Sequence, residues 1–145
     1  MSSPIPVHHP VLTDTDLCER WLEVLSWGGP GDLRARTLWV ALFDAIGAQL
    51  PVLMPVDHTP REPDPDLLDG LLRGCAAILA DHCGRSGSVA LALERPGGAS
   101  LTPADRAWAE QAQRAATASG VALRRTHVAG PGWVRPVLLG AGAAR

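Results

Sequence analysis

Apolar positions along the chain recur with two periods, and Gly, Pro and Asp clusters separate the blocks. Leu17, Trp21, Val24 and Leu25 fall on one helical face. Asp16 and Glu19 fit a capping box, which starts this first helix at Asp16. WGGPGD at 27–32 breaks it. TLWVALF at 37–43 is β-branched and apolar and predicts a strand. DAIGAQ follows, with Gly47 suited to the positive φ of a hairpin turn, and LPVLMPV at 50–56 predicts the returning strand. The two prolines of that strand place it at a sheet edge. After the polar, Pro-rich 57–66, Asp66 caps a second helix, whose apolar stripe is Leu67, Leu68, Leu71, Leu72, Cys75, Ile78 and Leu79.

SVALALE at 88–94 is almost continuously apolar, as a strand covered on both faces would be. Thr102 caps a third helix, Pro103 takes its first position, and Gly120 ends it. VALRRTHV at 121–128 and WVRPVLL at 133–139 predict two further strands around an AGPG turn. The order α-β-β-α-β-α-β-β predicts an α/β (α+β) fold, a mixed sheet flanked by helices. Strand 88–94, the third helix and strand 121–128 form a candidate right-handed parallel crossover. Residues 1–12 read as a flexible N-terminal tail, 13–140 as a single domain, and 141–145 as a C-terminal tail.

Composition narrows the function classes. Of the 145 residues, 46% are hydrophobic and 19% charged, a globular balance. The net charge is -2, and all 13 basic residues are Arg, scattered along the chain. That excludes a basic nucleic-acid-binding face, and the absence of Lys, Asn and Tyr reads as the bias of a GC-rich genome. No apolar run is long enough to span a membrane, and the N-terminus lacks the features of a secretory signal, so a cytoplasmic protein is expected. The three cysteines, Cys18, Cys75 and Cys83, lack CxxC spacing and read as free thiols.

ERPGGASLTPAD at 94–105 carries the candidate chemistry, because a strand there ends in a Gly-rich loop that leads into a helix. Backbone N–H groups of Gly97 and Gly98, with Thr102, could bind an anion, although the loop fits neither GxGxxG nor GxxxxGK[ST]. His58, Cys75, His82 and Cys83 match no standard zinc spacing. His127 could act as a base but has no nucleophile placed by any motif, so a structural strand residue is the expectation. Trp21, Trp39 and Trp108 are expected in the core. Trp27 and Trp133, beside Gly-Pro turns, are candidates for an exposed interaction surface.

The order of motifs over 37–139 resembles the RadC-like branch of the JAB/MPN metalloprotease-fold family. In that family a strand ends in His-x-His-Pro-x-Gly. A Ser-Pro-x-Asp helix start follows, then a helix, a Gly-led strand with an Asp-His pair, a glycine turn and a last strand. Here the series runs Arg95-Pro96-Gly97-Gly98, Thr102-Pro103-Ala104-Asp105, Gly120-Val121, Thr126-His127 and Gly130, then Trp133. The resemblance implies zinc held by two His and an Asp, with a Glu as general acid/base. The two His positions hold Leu93 and Arg95, Asp105 matches the Asp position with a loop one residue short, and the Glu has no counterpart. Leu has no lone pair for a metal, and Arg is cationic. The resemblance therefore implies a metal-free, non-catalytic domain, with no cofactor, that works as a protein-interaction or assembly module through an unknown protein partner or as a homodimer. Arg95 and Asp105 are expected to pair across the loop in place of a metal. The alternative is a small α/β enzyme or nucleotide- or anion-binding domain using loop 95–102.

Overall fold

The computed structural model describes residues 9–26, 36–83 and 86–139. Within them the chain runs α1 (Asp14–Ser26), β1 (Thr37–Phe43), β2 (Gln49–Val56), α2 (Pro65–Cys83), β3 (Ser88–Glu94), α3 (Pro103–Ser119), β4 (Ala122–Leu123), β5 (His127–Gly130) and β6 (Trp133–Pro136). The sheet order is β2-β1-β3-β5-β6, with β4 also paired to β3. β3 pairs parallel with β4 and β5, and the other ladders are antiparallel. The fold is thus the expected mixed sheet flanked by helices.

Strict alternation along β1 and β3 divides the core between the two faces. Leu38, Val40, Leu42, Val89, Leu91 and Leu93 meet α2 and α3 in the main cluster. Ala41, Phe43, Ala90 and Ala92 join Leu17 and Trp21 in a second cluster on the other face. Alanines make up most of the sheet side of that cluster. From α2, Leu68, Leu72, Cys75 and Leu79 are buried, one per helical turn.

Two helix starts differ from the sequence expectation. α1 begins two residues earlier than the predicted cap, with Thr13 capping it. Thr13 Oγ1 accepts from Asp16 N at 3.0 Å, while Asp16 Oδ2 accepts from Thr13 N and Leu12 N at 3.1 and 3.0 Å. Asp16 is therefore the return partner of the capping box. α2 is capped by Asp64, whose Oδ1 accepts from Asp66 N and Leu67 N, with Pro65 in the first helical position. Val11, assigned by sequence to the N-terminal tail, is 1% exposed and donates its N–H to Gly47 O at 2.8 Å. Gly47, at φ 85°, has no room for a side chain there: an added Cβ would lie 2.7 Å from Val11 O.

The strand expected at 121–128 is split. β4 pairs Ser88 with Ala122, an offset of 34, and β5 pairs Ala92 with His127, an offset of 35, so one extra residue bulges out. Arg124 and Arg125 are the cause. Both faces of the sheet are covered here, so a regular strand would turn one guanidinium into each of them. Instead Arg124 lies over the Phe43 ring at 4.9 Å and donates to Ser88 Oγ at 2.9 Å, while Arg125 turns out to Asp14 at 2.7 Å. The last strand is also shorter than expected and ends at Pro136.

Candidate functional site

The loop of residues 95–102 joins the end of β3 to α3. Arg95 is 5% exposed and Asp105, in the first turn of α3, is 0% exposed. Their side chains meet fork to fork. Arg95 Nε donates to Asp105 Oδ1 at 2.8 Å and Nη2 to Oδ2 at 2.7 Å. The other guanidinium donors turn to the loop backbone, Nη1 to Pro96 O and Gly98 O and Nη2 to Ser100 O, at 3.0–3.1 Å. All five N–H groups of an arginine are thereby engaged. The indole of Trp133 covers the guanidinium at 5.4 Å, a cation–π contact. The expected pairing across the loop is present.

Asp105 also closes α3. Its Oδ2 accepts from Thr102 N at 2.8 Å, and its own N donates to Thr102 Oγ1 at 3.1 Å. Burial raises the Asp105 pKa. The hydrogen bonds from Arg95 and Thr102 N, and the charge of Arg95, outweigh that and hold the carboxyl below its ordinary value. Gly97 takes φ 100°, a left-handed conformation that turns the loop carbonyls inward. The loop is thus a cradle for an internal cation. Thr102 is occupied by the capping box and Gly98 O by Arg95.

The residues at the positions implied by the family do not fit zinc. Leu93 is 1% exposed within the apolar core and offers no lone pair. Arg95 is a cation, and both Asp105 oxygens already accept from it. Among the described residues no group of three or more His, Cys, Asp or Glu could hold a metal ion. His58 and His82 are exposed, Cys75 is buried in the core and Cys83 is half-buried. Trp27 lies outside the described residues, and Trp133 is half-buried under its contact with Arg95.

His127 is 0% exposed. Its Nδ1 lies 3.0 Å from Arg125 O, which assigns the proton to Nδ1, and its Nε2 is buried with no partner among the described residues. Burial pushes its pKa down, against the raising effect of the Arg125 carbonyl. The imidazole is therefore neutral and closed off from solvent.

Two features were not singled out in the sequence. One is a groove of about 700 Å3 between the start of α1, α3 and the 124–126 bulge, with Thr13, Gln113, Arg124 and Arg125 on its walls. Its arginines are engaged with Asp14, Ser88 and Phe43. The other is Arg36, at the same end of the sheet as Arg95, with Nε and Nη2 buried and unpartnered among the described residues. The residue as a whole is half-buried, and only the fold reveals which of its nitrogens are enclosed. No protein-family model matches the chain. No curated protein matches it either.

Proposed function

We propose that the chain is a non-catalytic JAB/MPN-like domain that acts by binding, as a protein-interaction or assembly module. The observation that carries this reading is the Arg95–Asp105 bridge. An internal guanidinium, with every donor engaged, holds the strand end to the helix start where the resembled family uses a metal. Such a bridge keeps the shape of the site and leaves no open position for a polarising ion or a bound water. What the domain offers a partner is therefore surface.

Two large apolar side chains support that use. Leu12 and Ile46 are each 69% exposed. Both lie by the β1–β2 turn: Ile46 is within it, and a Cβ placed on the next residue, Gly47, would lie 2.9 Å from a Leu12 δ-carbon. The sheet edge at β2 is not the docking point on this account, because Pro51 and Pro55 break its row of donors. Light scattering across a dilution series tests the assembly role. The expected result is a mass above one chain at high concentration that falls on dilution, and that shifts toward one chain in Leu12→Ser/Ile46→Ser. A strict monomer throughout the series contradicts self-assembly.

A further inference from the structure

The sheet end that carries Arg95 also carries Arg36, in a different state. The β1–β3 register runs to Thr37 opposite Glu94, which places Arg36 and Arg95 at the next facing positions. By strand alternation they share the face of Leu38 and Leu93, over one end of the main core. Arg95 is fully engaged. Arg36 has its Nε and Nη2 buried, and neither finds a partner among the described residues. These are the same two nitrogens with which Arg95 grips Asp105. That edge of a guanidinium is a planar fork matched to two oxygens of one carboxylate or phosphate.

Thr59 supplies a second, independent sign. It is 5% exposed, and its Oγ1 is buried and unpartnered among the described residues. His58, at φ 56°, turns the chain after β2 so that Thr59 N donates to Arg36 O at 3.0 Å. The residue that carries an unsatisfied hydroxyl is thus paired through its backbone with the residue that carries an unsatisfied guanidinium edge. Burial of Arg36 lowers its pKa, Asp105 and Glu62 raise it, and Arg95 and Arg61 lower it. Among the described residues, the charges that act on Arg36 are thus two arginines and two carboxylates. Asp105 does not close the Arg36 fork: its oxygens accept from Arg95 and Thr102 instead. A guanidinium edge buried without acceptors among the described residues is costly, and an oxyanion would satisfy it.

We propose that Arg36 and Thr59 form an oxyanion-binding site, in which the Nε/Nη2 fork takes two oxygens of a carboxylate or phosphate group and the Thr59 hydroxyl donates to one of them. The site lies at the sheet end where the resembled family places its cation, with the opposite ligand charge. It does not rest on the JAB/MPN reading, since it needs only the local geometry of Arg36 and Thr59.

Thermal unfolding tests it, with inorganic phosphate or acetate added at ionic strength held constant with chloride, on the full chain and on Arg36→Met and Thr59→Val. The expected result is a saturable rise in Tm with at least one of the two anions. The rise should vanish in Arg36→Met and weaken several-fold in Thr59→Val. A response to phosphate alone assigns phosphate esters as the ligand class, and to acetate alone, carboxylates. Should Arg36→Met not fold, the arginine Nε–H resonances of the wild type decide: the anion should move Arg36 and leave Arg95 in place. No saturable response to either anion, with an unmoved Arg36 resonance, overturns the proposal and assigns the fork to buried water. An equal response in Arg36→Met overturns it as well.

Discussion

Replacing Arg95 by Met removes the guanidinium and keeps an apolar stem beneath Trp133. Asp105, 0% exposed, then loses two charge-assisted hydrogen bonds and retains only the one from Thr102 N. Removing one partner of a buried pair costs about 3–5 kcal/mol, because the other charge is left uncompensated. The carbonyls of Pro96, Gly98 and Ser100 belong to exposed residues and can return to water, so they add little. The lost cation–π contact with Trp133 adds roughly 0.5–1 kcal/mol. With total stabilities of about 5–15 kcal/mol, this is a large fraction. Urea unfolding followed by Trp fluorescence should show a midpoint fall of roughly 2 M, taking a slope of about 2 kcal/mol/M. Asp105→Asn should cost a comparable amount. Arg95→Met/Asp105→Asn should cost clearly less than the two together, by about 1–3 kcal/mol. Acidification supplies a second reading. The folded pKa of Asp105 lies below the ordinary 3.8, so its stabilisation is full above 3.8 and is lost as pH falls through the depressed value. The gap between wild type and Arg95→Met should close over that window. Single-variant costs below about 1 kcal/mol, or strict additivity, would refute the view of a coupled buried bridge.

Three other outcomes follow from particular residues. His127 is buried neutral with its pKa below the ordinary 6.5, so the unfolded chain binds more protons below that pH and wild-type stability should decline there; His127→Asn should flatten the decline in Tm-against-pH curves. Gly130 lies under Trp133, where an added Cβ would meet Cε2 at 2.5 Å, so Gly130→Ala should destabilise by about 1–3 kcal/mol in urea titrations. Burial pushes the Cys75 thiol up to about 11, so in thiol-reagent assays it should react only as fast as the protein unfolds.

Much of the scaffold was legible because local and long-range signals agree. Thr102, Pro103 and Gly120 bracket α3 as the sequence predicts, and SVALALE forms the central strand β3 because both its faces are covered. The caps of α1 and α2 were displaced where two side chains able to cap stand close together. TDTD offers both Thr13 and Asp16 as cap, and DPD offers Asp64 and Asp66. The buried Val11 fixes the approach to Thr13, and Pro65 suits the first helical position only if Asp64 is the cap. The 124–126 bulge was hidden because periodicity cannot show that two adjacent arginines would each face a covered side of the sheet. At the site, the partnership of Arg95 and Asp105 was readable from aligned positions, whereas the capture of Pro96, Gly98 and Ser100 carbonyls depends on a loop conformation that Gly97 permits. Arg36 and Thr59 gave no sequence signal, because burial of a charge at a strand start is decided by distant residues.

A buried ion pair, Arg95–Asp105, joins the end of β3 to the start of α3, at the place where the proposed reading would otherwise call for a metal. Elemental analysis of untagged protein purified without chelator tests it most directly. Zinc far below one per chain, unchanged in Asp105→Asn, is the expected result. One zinc per chain that is lost in Asp105→Asn would contradict it, since Asp105 would then be a ligand and not the partner of Arg95.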